Sequence, residues 1–248
     1  MSTEAPEAQN SAQLIIAWAL VYIVWGSTYL AIKFAVKTLP PLVMGGTRFI
    51  IAGVALYIWS RLTRKEKETP GHWLRAAIAG NLFFLIANGA AIIGLLYVDS
   101  GIAALLIALT PIWMVIIDQF HPKGRRPGIL AVMGLIIGLV GLYVLIDPTD
   151  ALIGEGIHLF GASIILLGTI GWASGTIFVR NARFPKSQTL SASMQMISGG
   201  VGLFIAGTLR GEWQHVDFQT FSLESILAFF YLILFGSIAA FSAYNWLM

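Results

Sequence analysis

QLIIAWALVYIVWGSTYLAIKFA, residues 13–35, carries one charged side chain, Lys33, near its end. A helix needs about 20 mostly apolar residues to cross the hydrocarbon core of a bilayer. The run meets that length, and its internal Gly26 argues against a strand. Residues 1–12, MSTEAPEAQNSA, are polar, small and mildly acidic. They lack the basic segment of a signal peptide, and the apolar run that follows is too long for one. The sequence therefore predicts a disordered cytoplasmic tail over 1–12 and a retained first span from residue 13.

Seven more runs of this kind follow, at about 41–60, 73–97, 100–119, 127–146, 156–179, 189–208 and 223–245. Short links rich in Pro, Gly and charge separate them, and none is long enough for a soluble domain. Only 11% of the residues are charged and 57% are apolar, against roughly a quarter charged in a soluble domain. Mean hydropathy is +0.81. The fold class expected is an all-α polytopic membrane protein whose partner over most of its surface is the lipid bilayer. Cysteine is absent, which removes disulfide and thiol chemistry.

Lys and Arg distribute unevenly among the links. One set of links holds Arg61, Arg64, Lys65, Lys67, Arg75, Lys123, Arg125, Arg126, Arg180, Arg183 and Lys186; the other holds Lys33, Lys37 and Arg210. Positively charged links stay in the cytoplasm, so the N-terminus is expected there.

Displaced by 147 residues, the sequence meets itself. Trp25-Gly26-Ser27 falls on Trp172-Ala173-Ser174, Lys33 on Arg180 and Ala35 on Ala182. Ile50, Gly53, Val54 and Leu56 meet Ile197, Gly200, Val201 and Leu203. The second copy starts at the sixth span, so an odd number of spans separates the copies and they enter the membrane from opposite sides. Inverted repeats of this kind suit transporters, whose two halves exchange roles around a site near the midplane. The domains expected are a first repeat at 13–147, with five spans, and a second at 156–248, with three. The same reasoning predicts two further spanning helices beyond Met248, the first with a Pro matching Pro111.

Trp25-Gly26-Ser27-Thr28-Tyr29, Pro40-Pro41 and Thr47-Arg48-Phe49 resemble the start of an EamA-type permease of the drug/metabolite transporter superfamily. Ser100-Gly101-Ile102-Ala103-Ala104 with Ala108-Leu109-Thr110-Pro111 is similar to that family's fourth helix, and Phe235-Gly236-Ser237 with Ala243-Tyr244-Asn245 to its eighth. The resemblance implies ten helices in two inverted five-helix units, eight of them in this chain. It also implies export of small metabolites or drugs.

Candidate cavity residues follow from helical faces. Trp18, Tyr22, Trp25, Tyr29 and Lys33 share an arc of the first span. Trp18 and Lys33 sit near its ends and suit the interfaces, whereas Trp25, repeated as Trp172, and Tyr29 lie deeper. Arg48 is the one Lys or Arg inside a span. A cation there costs about 2.5–3.5 kcal/mol on insertion scales and should face a wet cavity, a partner or the bundle interior. No acidic residue stands mid-span; the nearest is Asp118 at the end of the fourth. Arg48 thus meets either carbonyls and water or an anionic group of a substrate, or it serves a structural role. The repeat pairs it with Gln195. Asn81 and Asn88 fall on one face of the third span, Ser191 and Gln195 on one face of the seventh, and Tyr231, Phe235, Ser242 and Asn245 on one face of the eighth. Pro111 should kink the fourth span or free a carbonyl, which could serve gating. Gly134, Gly138 and Gly141 give the fifth span a small-residue face for packing within the chain.

The four histidines lie at span ends or in links, so no metal site is read, and no Gly-rich nucleotide loop is present. No cofactor and no nucleic acid partner is expected. The partners are a small-molecule substrate and lipid, with a homodimer left open. The function expected is secondary transport of a small organic metabolite (an amino acid, a related metabolite or a drug) outward across the inner membrane by alternating access. The alternatives are a non-transporting scaffold and a membrane-embedded enzyme, for which paired acids or buried nucleophiles are not found. The identity of the substrate is not legible.

Overall fold

The computed structural model describes residues 11–63, 67–120, 124, 127–146 and 158–247, with backbone alone at 11, 142, 144–146, 215, 245 and 246. Within these residues the chain is helical and holds no strand. In order the helices are α1 (Ser11–Ala35), α2 (Pro41–Thr63), α3 (Pro70–Gly80), α4 (Gly89–Gly94), α5 (Ser100–Ile107), α6 (Thr110–Gln119), α7 (Ile129–Ile146), α8 (Leu159–Asn181), α9 (Gln188–Leu209), α10 (Leu223–Tyr231) and α11 (Ala240–Leu247). Two π-helical segments, Asn81–Asn88 and Leu232–Ala239, join α3 to α4 and α10 to α11 into continuous rods.

Seven stretches are long and apolar enough to cross a membrane: Ala12–Ala35, Pro41–Thr63, Pro70–Gly94, Ser100–Gln119, Leu159–Asn181, Gln188–Leu209 and Leu223–Tyr244. The remaining predicted span, 127–146, is the apolar helix α7. Leu, Ile, Phe and Trp side chains such as Ile15, Ile23, Trp59, Leu130, Leu167 and Leu234 are exposed along these rods. Apolar surface on this scale requires a lipid solvent, so the chain is a multi-pass membrane protein. The tail expected at 1–12 lies outside the described residues up to position 10, while Ser11 and Ala12 already belong to α1.

Local chemistry sets the ends. Thr69 and His72 form a reciprocal capping box ahead of α3, and Pro70 occupies the first turn, where its missing N–H costs nothing. Ser187 and Ser222 cap α9 and α10 through the amides of Leu190 and Ser225. Gly211, at φ 78°, ends the turn after α9 in the left-handed region that glycine adopts without strain. Glu212 accepts from the Leu42 amide at 2.9 Å and the Val43 amide at 2.9 Å, placing a carboxylate on the N-terminus of α2.

Glycine governs the centre. A Cβ on Gly46 would sit 2.5 Å from the Phe204 amide nitrogen and 2.8 Å from the Gly200 carbonyl. One on Gly200 would sit 2.9 Å from the Ile50 amide, and one on Gly80 2.2 Å from the Gln195 carbonyl. So α2 and α3 both lie backbone to backbone against α9, the close approach that small residues permit in membranes. Around this axis α1 packs on the rod α10–α11, and α8 packs on the rod α3–α4.

The small-residue face of α7 is a correction. A Cβ on Gly134, Gly138 or Gly141 would meet nothing within 4 Å. The expected packing of that face within the chain is therefore not made among the described residues.

Candidate functional site

A cavity of about 290 Å³ opens between α1, α2, the rod α3–α4, α5–α6, α8 and the rod α10–α11. Its lining comes from the middle of those rods. Trp25 and Trp172, the residues that the 147-residue displacement superimposes, meet across it edge to face, with centroids 6.2 Å apart and planes at 85°. Phe83 stacks obliquely on Trp172 at 4.9 Å, and Phe84 lies 4.4 Å from Phe49. Edge-to-face and tilted arrangements at these distances are the favoured ones for aromatic rings, so this wall holds its shape without a ligand.

Arg48, on α2, is 3% exposed and lines the cavity. Its Nε–H donates to Ser237 Oγ at 2.8 Å, and its guanidinium carbon stands 4.6 Å from the Phe49 ring centre. Gly236 makes room for it: a Cβ there would come within 3.0 Å of Nη2. No ion pair reaches Arg48 among the described residues. Nη1 and Nη2 make no hydrogen bond to a described residue, and neither is sealed from the cavity.

The threonine hydroxyls around the cavity are committed to backbone. Thr28 donates to the Val24 carbonyl at 2.8 Å and Thr169 to Leu166 at 2.6 Å. Thr110 donates to the Ile107 carbonyl at 2.5 Å. That carbonyl is the one Pro111 strips of its helical donor, since proline has no N–H for the residue four back. The fourth span accordingly breaks into α5 and α6 at Ala108–Leu109, and Pro111 sits in the first turn of α6 on the cavity wall. Asn88 donates through its amide nitrogen to the Phe83 carbonyl, five residues back, at 2.9 Å.

Trp25, Tyr29, Arg48, Asn88, Trp172 and Pro111 therefore line one cavity. Two other candidates lie elsewhere. Gln195 is buried on α9, donates to Ser191 Oγ at 3.0 Å, and presents its backbone to Gly80. Ser242 is half-buried on α11 and is absent from the lining. The side chain of Asn245 lies outside the described residues. Of the face expected for Tyr231, Phe235, Ser242 and Asn245, Tyr231 and Phe235 do stack at 5.3 Å, but Phe235 is 49% exposed and neither they nor Ser242 line the cavity. Asn81 and Asn88 part company. Asn81 binds the Ala77 carbonyl and abuts Gly202 of α9, away from the cavity. That pair bounds a π-helical segment, where the 100° step no longer holds.

The reading by faces missed Thr28, Thr110, Thr169 and Ser237, together with Phe84 and Phe241. Thr28, Thr110 and Ser237 stand inside the motifs that carry the family resemblance, which was the signal available. The outer aromatics of α1 separate from the inner ones: Trp18 and Tyr22 stack at 5.6 Å and are exposed, whereas Trp25 and Tyr29 face inward.

Ion pairs stand at both ends of the bundle. At the end bearing the link 36–40, Lys33 reaches Asp99 at 2.5 Å and the Val98 carbonyl at 3.0 Å, and Lys37 reaches Glu224 at 3.1 Å. The hydrogen bond and charge of Lys33 hold the Asp99 carboxyl below its ordinary range. At the opposite end Arg180 of α8 pairs with Asp118 of α6, and Arg61 with Glu68 at 2.8 Å. Glu68 also accepts from the Tyr57 hydroxyl, which is the main cause holding its carboxyl low.

Residues 13–147 match the EamA-like transporter family. The chain is 34% identical over 230 residues to the inner membrane transporter YedA of Escherichia coli strain K12, covering 92% of this chain and 72% of that one. It is 30% identical over 241 residues to a transporter of Buchnera aphidicola, covering 94% of this chain and 77% of the relative. A solved crystal structure aligns over 96% of this chain and 79% of its own with a TM-score of 0.60 at 17% identity, a likeness of fold. A family match over more than half the chain, a relative at this identity and an all-helical bundle around a mid-span cavity agree: the chain belongs to the EamA-like transporter family, an EamA-type permease of the drug/metabolite transporter superfamily.

Proposed function

We propose that the chain is a secondary transporter that moves a small organic metabolite outward across the inner membrane by alternating access. The observation that carries this reading is the placement of the cavity at the crossing of sequence-related helices. Helix α2 packs on its displaced counterpart α9, while α1 packs on the rod α10–α11 and α8 on the rod α3–α4. Each half thus offers its first helix to the third rod of the other. The two π-helical segments, Asn81–Asn88 and Leu232–Ala239, overlap under the same displacement. Such exchange symmetry supports two inverted units, at 13–147 and from 156 onward, that can swap roles around a fixed site.

The N-terminus is cytoplasmic in this reading, from the bias of Lys and Arg. The inner membrane is the location given in the name of the Escherichia coli relative. Lys33–Asp99 and Lys37–Glu224 then close the outer side, and Arg180–Asp118 and Arg61–Glu68 the cytoplasmic side. Trp25, Tyr29, Arg48, Asn88 and Trp172 contact the substrate, and the break before Pro111 gives the fourth span a hinge. Gln195 and Ser242 have no part in that contact set.

The test is efflux from proteoliposomes loaded with mixed labelled metabolites, read against protein-free vesicles. Saturable, protein-dependent release of one compound is expected. Absence of release for the whole mixture, with folded and inserted protein, returns the scaffold reading.

A further inference from the structure

The cavity wall holds one guanidinium, and its two terminal nitrogens have no partner among the described residues. Arg48 spends Nε on Ser237 and leaves Nη1 and Nη2 unbonded, although the residue is 3% exposed. Tyr29, Trp25 and Trp172 line the same space, and neither the phenol nor either indole N–H meets an acceptor among the described residues. Ser237 already accepts from Arg48, so its own hydrogen is free for the cavity. Thr28, Thr110 and Thr169 donate to backbone carbonyls and Asn88 donates through its amide nitrogen, so toward the cavity the threonine oxygens and Asn88 Oδ1 only accept. The guanidinium itself calls for an acceptor-only head group, and an ionised carboxylate is one.

Charge narrows the class further. The cavity offers one cation and, among the described residues, no carboxylate. A buried cation without a partner is costly, and a single negative charge neutralises it. A phosphate monoester, at about −1.5 to −2 near pH 7, would bring a second charge into the low-dielectric interior with nothing to meet it. An amine would add a second positive charge beside Arg48. The planar guanidinium edge formed by Nη1 and Nη2 matches a carboxylate in two parallel hydrogen bonds. Much of the remaining wall is apolar and aromatic, with Trp25, Phe84, Ile165 and Trp172 among its residues. The volume, about 290 Å³, lies at the lower limit of small-molecule sites.

We propose that this cavity selects small organic monocarboxylates with a flat apolar body, held by Nη1 and Nη2 of Arg48. The inference rests on the transporter reading above and adds the charge and shape of what is carried.

The experiment uses the purified 248-residue chain and radiolabelled phenylacetate in a scintillation-proximity binding assay. Phenylacetamide, phenethylamine and phenyl phosphate are the unlabelled competitors; they keep the ring and change only the head group. Saturable phenylacetate binding is expected, with each competitor roughly tenfold or more weaker than unlabelled phenylacetate. This comparison needs no variant and so does not depend on a substitution folding. Arg48→Gln should lose binding and Arg48→Lys should retain part of it, because an ammonium keeps the charge without the planar fork. The proposal is overturned if phenylacetate does not bind, if the amide, amine or phosphate competes equally, or if Arg48→Gln binds as well as the parent. Failure of transport is separable: phenylacetate binding with no flux of any compound rejects the transporter reading alone. Flux of neutral or cationic compounds without phenylacetate binding rejects the carboxylate class alone.

Discussion

Replacing Arg48 by Met separates a substrate-binding arginine from a structural one, because the two roles predict opposite balances of stability and transport. Removing the guanidinium relieves about 2.5–3.5 kcal/mol of cost for a cation in hydrocarbon. It forfeits the bond to Ser237 at 2.8 Å, worth ~1.5–3 kcal/mol as a charged hydrogen bond. It also forfeits the contact with Phe49 at 4.6 Å, worth ~0.5–2 kcal/mol. The balance runs from about 1.5 kcal/mol gained to about 2.5 kcal/mol lost. No carboxylate is stranded, so the ~3–5 kcal/mol penalty of breaking a buried ion pair does not arise. Transport should fall much further. Two charged hydrogen bonds to substrate, at ~1.5 kcal/mol each, amount to more than about 100-fold in affinity. Denaturant unfolding in bicelles and counterflow in proteoliposomes measure the two quantities on one preparation. Unfolding destabilised by well over 3 kcal/mol would assign Arg48 a structural role, and counterflow at parental affinity would remove it from the site.

The native chain has no cysteine, so single cysteines report topology without background: Asp150→Cys should react with an impermeant thiol reagent in whole cells, and Glu66→Cys only after lysis. The reverse pattern inverts the orientation. Because Lys33 depresses the Asp99 carboxyl, the closure between α1 and the link 95–99 should persist from neutral pH down to the ordinary carboxylate range. It should weaken progressively as external pH falls from the ordinary carboxylate range through the depressed value; a spin label attached at neutral pH to a cysteine at Ser100 should gain mobility there, and Asp99→Asn should abolish the pH step. Gly199→Ala places a Cβ 2.2 Å from the Gly80 carbonyl and should cost about 1–3 kcal/mol by forcing α3 and α9 apart. Gly134→Ala, which meets nothing, should stay within about 0.5 kcal/mol of the parent in the same unfolding assay.

What could be read in advance divides by physical cause. The spans were legible because the bilayer imposes one length on every helix, and the links because Pro, Gly and charge cluster between the apolar runs. The cavity was legible where a residue is expensive or duplicated. Arg48 is expensive in hydrocarbon, and Trp25 and Trp172 repeat at a fixed displacement; all three line it. Thr28, Thr110 and Thr169 gave no such signal. A membrane threonine bonds its own helix wherever it faces, so its type does not report its direction. The open face of α7 was illegible for a related reason: a Gly pattern states that a helix can be approached closely, and does not say by what.

The misread face of the third span has a structural origin. Seven residues bring an α-helix back to nearly the same side, which put Asn81 with Asn88. That pair bounds a π-helical segment, whose bonds skip one residue further and rotate everything beyond it. Asn81 therefore turns to Gly202 while Asn88 enters the cavity. The same rotation delivers Ser237 to Arg48 from the second segment. An α-helical register through Leu232–Ala239 would swing Ser237 off the guanidinium, and the Gly236 gap that admits Nη2 would turn with it. A wider turn in lipid carries the cost of poorer backbone bonding. Both rods that carry such a segment contribute to the cavity wall, and the second of them places the hydroxyl that accepts from Arg48.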